Sequence, residues 1–141
     1  MTRVLFLCVH NSARSQMAEA YLARFGAGKF IAESAGLEPG ILNPWVVRAL
    51  AEDGIDIAGK STRDVFALFT SGASYDAVVT VCSKEAAERC PIFPGRVERH
   101  HWPFDDPSRF KGSDEEIMAQ VRVVRDAIKA KVQDFVNMRG V

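Results

Sequence analysis

Two short, uninterrupted apolar runs constrain the fold of this chain more than any other feature of its sequence. Residues 4–8 read VLFLC, and residues 77–81 read AVVTV. Runs of this length without polar alternation are typical of strands that are covered on both faces, as in a parallel sheet. The first run ends at Cys8, and the second leads directly into Cys82. The pattern predicts an α/β fold with both cysteines at the carboxyl edge of one sheet.

Helical segments alternate with strands along the chain. The predicted strands cover residues 3–8, 30–34, 77–81 and 97–102, and the predicted helices cover residues 15–25, 43–52, 63–69, 83–89 and the segment from 113 onwards. Asn43 and Pro44 provide an N-cap and a first helical residue, and Ser113 with Glu116 forms a capping box. We expect a three-layer α/β/α architecture around a four-stranded parallel sheet, as one domain over residues 1–141.

Charge and composition argue against several classes of function. The chain has 18 Lys plus Arg and 18 Asp plus Glu, and this balance gives no support to a nucleic-acid or membrane-surface role. Its apolar runs fall far short of the roughly 20 residues that a membrane span needs, and nothing resembles a secretory signal. We therefore expect a cytoplasmic protein that binds neither nucleic acid nor membranes.

The three cysteines, Cys8, Cys82 and Cys90, are an odd number and do not indicate a disulfide framework. No Cys-x-x-Cys or His-x-x-x-His spacing accompanies them, so we expect no metal site and no cofactor. They are either buried packing residues or reactive thiols, and the packing alternative is strongest for Cys82, which follows a buried strand.

The loop after Cys8 is suited to binding an anion. Six residues separate the cysteine from the next helix: Val9, His10, Asn11, Ser12, Ala13 and Arg14. A loop of this length at a helix N-terminus can turn its N–H groups inward around a tetrahedral oxyanion, and the Arg14 guanidinium can pair two of its oxygens. A helix N-terminus and an arginine also favour the thiolate form of cysteine, and the Ser15 hydroxyl can donate to it. The loop therefore predicts a nucleophilic Cys8 that attacks a bound oxyanion.

The octapeptide CVHNSARS, residues 8–15, resembles the phosphate-binding loop of the low-molecular-weight protein tyrosine phosphatases, and the likeness extends over nearly the whole chain. The resemblance implies the family's four-stranded parallel sheet. It also leaves two activities open, since arsenate is close to phosphate in shape and charge. One is hydrolysis of phosphotyrosine through a Cys8 phosphoenzyme, and the other is reduction of arsenate to arsenite.

Three features favour the reductase branch of this family. Gln16 and Met17 resemble the reductase pattern, whereas the phosphatases usually have a proline at the position of Gln16. The segment HWPFDDP resembles the reductase segment that carries the acidic residue, and no tyrosine pair follows Pro107 as it does in the phosphatases. Cys82 and Cys90 resemble the second and third cysteines of the reductases. Reduction of As(V) to As(III) takes two electrons and therefore at least two thiols, whereas hydrolysis needs only one.

The resemblance implies a relay of three thiols. Cys8 would attack arsenate, and Asp106, or else its neighbour Asp105, would protonate the departing oxygen. Cys82 would then attack the Cys8–arsenic adduct, and Cys90 would move the oxidation outward as a Cys82–Cys90 disulfide. Thioredoxin or another thiol reductant would reduce that disulfide, and phosphate or sulfate would compete with arsenate for the loop.

Some positions depart from the thioredoxin-linked pattern. Ala13 replaces a cysteine, Val9 and His10 replace smaller residues, and the interval from Cys82 to Cys90 is one residue longer. The reductant is therefore open among thioredoxin, glutaredoxin with glutathione, and mycothiol. If residues 83–89 are helical, they must partly unwind before the two cysteines can form a disulfide.

Some members of the resembled family hold potassium beside this loop, but we do not predict a potassium site in this chain. Asn11, Glu19 and Ser34 match positions that hold potassium beside the loop in some relatives, but Arg63 stands near the place of the fourth ligand, an aspartate near Asp64. A solvated helix residue is the alternative for Glu19.

Overall fold

Four parallel strands form the sheet of the computed structural model, which describes residues 1–139; Gly140 and Val141, the end of the expected domain, lie outside the described residues. The strands are β1 (Thr2–Cys8), β2 (Phe30–Gly36), β3 (Ala77–Thr80) and β4 (Glu98–His101), in the order β2-β1-β3-β4. All three pairings are parallel. The predicted three-layer α/β/α architecture with a four-stranded parallel sheet is confirmed.

The burial of β1 explains why the VLFLC run lies at the centre of the sheet. Its side chains alternate between the two faces, yet residues 4–7 are all completely buried, so both faces are covered. In the register, Cys8 lies opposite Gly36, and Leu7 lies opposite Thr80. The carboxyl ends of β1, β2 and β3 therefore meet around Cys8, and the candidate site lies at that edge of the sheet.

Five α-helices cover the sheet: α1 (Arg14–Phe25), α2 (Pro44–Glu52), α3 (Val65–Thr70), α4 (Lys84–Ala87) and α5 (Asp114–Arg139). The predicted caps are confirmed: Asn43 accepts from the N–H groups of Trp45 and Val46, and the capping box joins Ser113 and Glu116 in both directions. Among residues 1–139, no helix combines the length and the apolar character needed to cross a membrane.

Four elements are shorter than predicted. Strand β3 ends at residue 80 rather than 81, and strand β4 covers residues 98–101 rather than 97–102. Helix α4 has one turn rather than residues 83–89. Helix α3 begins two residues later than predicted, because Asp64 serves as its N-cap and accepts from the Phe66 N–H. The Arg63 N–H donates instead to the side chain of Asn11, 2.9 Å away. Residue 63 thus supports the loop after Cys8 and takes no part in the helix.

Helix α5 closes one side of the molecule against α1 and α2. Its Arg125 is buried, and donates to the Ala49 carbonyl and to Glu52, which Arg122 also binds. These hydrogen bonds hold the pKa of Glu52 at about 2. Below the polar pairs, an apolar stripe enters the core: Met118, Val121, Val124, Ile128, Val132 and Phe135. Packing of this stripe, with the ion pairs at its margin, fixes the helix.

Replacing Ile128 by alanine tests how much this stripe stabilises the fold. Ile128 is fully buried, so Ile128→Ala should lower the free energy of unfolding by about 2–5 kcal/mol, measured by urea denaturation. Val123, on the same helix, is 70% exposed, and Val123→Ala should change it by less than about 0.5 kcal/mol. Equal losses in the two variants would show that α5 does not contribute through this stripe.

Candidate active site

The loop between β1 and α1 is held from outside by the segment that follows β2. The carbonyl oxygens of four of its residues accept backbone hydrogen bonds of 2.7–3.2 Å from that segment: Cys8, Val9, His10 and Ser12. These carbonyls therefore point away from the middle of the loop. Among the described residues, the N–H groups of Ser12, Ala13 and Arg14 have no protein acceptor. The loop thus leaves donors free at the start of α1, as an oxyanion site requires.

Gly36, at the end of β2, allows the loop to lie this close to the sheet. A Cβ atom at position 36 would lie 2.7 Å from the Val9 oxygen and 2.8 Å from the Asn11 nitrogen, both of them backbone atoms. No side chain fits in this space, so glycine is required here. The sequence interpretation missed this residue, and its only local signal was a glycine after a predicted strand.

Asn11 organises the interior of the loop. It is fully buried and has a left-handed backbone, with φ at 54°. Its Nδ2 donates to Ser15 Oγ at 2.7 Å, and Ser15 Oγ lies 2.9 Å from Cys8 Sγ. Because Asn11 already donates to this oxygen, the Ser15 hydroxyl proton is free to point at the sulfur. The Asn11 N–H also donates to Cys8 Sγ, at 3.2 Å. Two donors thus face the sulfur, which favours a thiolate there.

Arg14 faces both the loop and the acidic segment after β4. It is buried, and its Nη1 donates to the Phe104 carbonyl at 3.1 Å, while Nη2 lies 3.6 Å from Asp106 Oδ2. Its buried Nε has no hydrogen-bond partner among the described residues. A buried guanidinium nitrogen without an acceptor is costly, and an oxyanion in the loop would provide one.

The two candidate acids differ in how firmly they are held. Asp106 Oδ1 accepts from the N–H and the hydroxyl of Ser108, at 3.0 and 2.8 Å. Burial raises the pKa of Asp106, but these hydrogen bonds and the Arg14 charge outweigh that effect and hold it below its usual value. Asp105 is exposed and lines the same cavity as Asp106. Both carboxylates thus lie at the site, and only Asp106 faces Arg14.

Cys82 lies in the same part of the structure as the loop. A cavity of about 380 Å³ is bordered by Cys82 together with Arg14, Asp105, Asp106 and Val9. The thiol is fully buried, and burial together with the neighbouring Cys8 raises its pKa to about 11, while Arg14 lowers it. A buried thiol that borders the same cavity as Arg14 goes beyond what packing alone requires.

Cys90 lies on the other side of α4. It borders a second cavity, of about 370 Å³, together with Lys84, Glu88 and Arg99. Burial raises the pKa of this thiol, and Arg99 lowers it. All three cysteines are free thiols. Backbone hydrogen bonds from Ala87 to Ser83, from Glu88 to Lys84 and from Cys90 to Ala87 keep the intervening turn folded. Cys82 and Cys90 are therefore held in separate cavities.

His10 contributes no side chain to the middle of the loop. Its imidazole is exposed, and its Nδ1 is 2.8 Å from the Glu38 carbonyl oxygen, which makes this nitrogen the donor. The described residues contain no group of three or more His, Cys, Asp or Glu side chains arranged to hold a metal ion.

The residues matching a potassium site do not fit one here. Glu19 is buried rather than solvated, and its carboxylate is bonded to the Ser34 hydroxyl and to the Lys60 ammonium. Asn11 Oδ1 accepts from Arg63 and Gln16, and Asp64 caps α3. The oxygens are already bonded, and an ammonium group lies against the only buried carboxylate among them.

Comparison with known proteins agrees with this geometry. The family model of the low molecular weight phosphotyrosine protein phosphatases matches residues 3–139. An arsenate reductase of Bacillus subtilis is 41% identical, over 94% of this chain and 93% of the relative. A solved arsenate reductase in the phosphate binding state is 29% identical with a TM-score of 0.75, and covers 98% of both chains.

A third protein adds a named reductant. The thioredoxin-dependent arsenate reductase of Corynebacterium glutamicum is 25% identical with a TM-score of 0.63, over 94% of this chain and 62% of that one. The family model matches nearly all of the chain, and the Bacillus relative is 41% identical to it. This protein therefore belongs to the low-molecular-weight phosphotyrosine protein phosphatase family.

Proposed function

We propose that this protein is an enzyme that reduces arsenate to arsenite through Cys8, Cys82 and Cys90, as part of arsenic detoxification. The observation that carries the proposal is the position of Cys82, a buried thiol in the cavity that contains Arg14 of the anion loop. Hydrolysis of a phosphate ester has no use for a second thiol, whereas a two-electron reduction requires one. The relatives named arsenate reductases support the same choice.

The first step is binding and attack. The free N–H groups of the loop and the guanidinium of Arg14 hold the arsenate oxygens, and phosphate or sulfate would compete for the same donors. The Cys8 thiolate, which faces the Ser15 hydroxyl and the Asn11 N–H, attacks arsenic. The bound anion places negative charge near Asp106 and raises its pKa, so that this residue can hold a proton and give it to the departing oxygen.

The second step transfers two electrons to arsenic. The Cys82 thiolate attacks Cys8 Sγ, the sulfur–arsenic bond breaks, and its electron pair stays on arsenic, which leaves as arsenite. Cys82 must first lose its proton, and burial opposes that loss. The nearby Arg14 stabilises the Cys82 thiolate. The relay is ordered because Cys82 can displace arsenite from Cys8 Sγ only after Cys8 has bonded to arsenic.

The third step moves the oxidation to the surface. Cys90 attacks Cys82, Cys8 leaves as a thiolate, and a Cys82–Cys90 disulfide remains. The single turn of α4 must open first, and only a few backbone hydrogen bonds hold it. Two thiols of an external reductant, thioredoxin or another, are then oxidised to restore the enzyme; a thioredoxin-dependent relative favours the first. A reducing compartment such as the cytoplasm would keep the three cysteines free, as they are here.

One observation favours a second candidate, a weak phosphatase activity. A cavity of about 340 Å³ lies beside Ser12 of the loop and is lined by Leu42, Trp45, Pro107 and Phe110. An aromatic leaving group of a phosphate ester fits such a surface. This activity would use Cys8 and would be independent of Cys82.

Replacement of each cysteine by serine separates the two candidates. Cys82→Ser should reduce arsenate turnover by about a hundredfold or more and leave hydrolysis of para-nitrophenyl phosphate within a few-fold of the original rate. Cys8→Ser should abolish both. Cys90→Ser should release roughly one arsenite per enzyme molecule and then stop as a Cys8–Cys82 disulfide, visible by mass spectrometry. Sustained arsenate turnover in Cys82→Ser would exclude the proposed relay.

The neighbouring aspartates provide a matched pair for the proton donor. Asp106→Asn should lower kcat by about 10²–10⁴-fold, because only this carboxylate faces Arg14. Asp105→Asn removes the same charge one residue away and should change kcat by no more than a few-fold. The reverse result would assign the proton to Asp105.

The raised pKa of Cys82 gives the arsenite-release step a pH dependence. At pH values below its pKa of about 11, the thiolate fraction of Cys82 grows by about tenfold for each unit of pH. The single-turnover rate in Cys90→Ser should therefore increase from pH 7 to about pH 9. Quenched-flow measurement of arsenite checks the rate, and a rate that falls with pH would contradict Cys82 as the attacking thiol.

A further inference from the structure

A buried carboxylate lies one helical turn beyond the residues that contact Cys8, and its charge partner, Lys60, is exposed. Glu19 is on the buried face of α1, four residues after Ser15, and its side chain is only 8% exposed. Its Oε1 accepts from the Ser34 hydroxyl at 2.7 Å, and its Oε2 contacts the ammonium of Lys60. Lys60 comes from the segment before α3, about 40 positions further along the chain. A distant segment thus delivers a cation to the helix that carries the site.

The residues that follow Lys60 hold the anion loop directly. The Ser61 carbonyl accepts from Gln16 Nε2 at 3.3 Å, and the Thr62 hydroxyl donates to the Gly40 carbonyl at 2.8 Å. The Arg63 N–H donates to Asn11 Oδ1 at 2.9 Å, and its carbonyl accepts from the Gly36 N–H at 2.8 Å. We call residues 60–63 the brace. It joins Glu19 at one end to Asn11 at the other, and Asn11 orients Ser15 toward Cys8.

We infer that Lys60 is a built-in counter-ion that neutralises Glu19 and positions the brace, so that the Cys8 loop of this protein needs no bound monovalent cation. The positions that hold potassium in some relatives are bonded here to Lys60, Arg63 and Gln16, and these contacts are the basis of the inference. The inference rests on the proposed function only in taking arsenate reduction as the reaction of the Cys8 loop.

Electrostatics explains why the pair matters to the thiolate. A buried carboxylate without a counter-ion destabilises the fold, and its negative charge would also repel the Cys8 thiolate one helical turn away. The Lys60 ammonium removes both effects. Burial and the Arg63 charge lower the pKa of Lys60, whereas the carboxylate in contact with it acts in the opposite direction.

The test measures the rate of Cys8 alkylation by iodoacetamide against pH, by mass spectrometry of the Cys8 peptide. This readout needs no arsenate turnover. In the original protein the profile should be the same in NaCl and in KCl at equal ionic strength. Lys60→Met should move the midpoint of the profile upward by about half a pH unit or more, because the Glu19 charge is no longer balanced.

Two controls distinguish charge from structure. Lys60→Arg keeps the cation and should retain the original profile within about twofold in rate. Lys131→Met removes an exposed lysine of α5 that lies over Trp102, and should leave the profile unchanged. Thermal melting of each variant verifies folding. If Lys60→Met does not fold, the alkylation profiles of the original protein in NaCl and in KCl still test whether the loop needs potassium.

Three results would overturn the inference. One is a faster alkylation of Cys8 in KCl than in NaCl for the original protein. The second is an unchanged alkylation profile in Lys60→Met. The third is a shift of the profile in Lys60→Arg that is as large as the shift in Lys60→Met. Loss of arsenate reduction with the expected alkylation profiles would instead overturn the proposed function and leave the role of Lys60 in place.

Discussion

The side-chain amide of Asn11 connects the nucleophile to the rest of the protein. Its oxygen accepts from the brace through Arg63, and its nitrogen donates to Ser15, which in turn faces Cys8. The left-handed backbone at Asn11 costs about 1–2 kcal/mol for a residue with a side chain, and the buried hydrogen bonds of the amide offset that cost. Loss of the hydrogen bond from Arg63 or of the one to Ser15 would leave the loop less firmly held and the Ser15 hydroxyl no longer oriented toward the sulfur.

The two ends of the thiol relay differ in how firmly they are held. Cys8 ends the central strand and is fixed by the sheet, the segment after β2 and the brace. Cys90 follows a helix of a single turn whose one buried residue is Ala86. Segments with few buried contacts open at low cost, whereas fully buried strands open only with global unfolding. The binding end is therefore rigid, and the end that must move to pass on the oxidation is weakly held.

Much of the fold could be predicted because its signals are local. The apolar runs gave the two buried strands, Asn43 and the Ser113–Glu116 pair marked helix starts, and the alternation of elements implied the parallel sheet. The anion loop also has a local origin, since β1, five residues and α1 are consecutive in the chain. The error at α3 has a tertiary cause: the Arg63 N–H donates to Asn11, and the helix begins only after Asp64, which caps it.

The sequence by itself determined the class of fold, the position of Cys8 in an oxyanion loop, and the number of thiols available for a two-electron reaction. Only the tertiary structure decided which cavity each thiol borders, that Gly36 must lack a side chain, and that Lys60 rather than solvent faces Glu19. The physical reason is the range of the interactions. Strand burial and helix capping depend on residues a few positions apart, whereas these three features depend on atoms brought together from segments up to tens of residues apart.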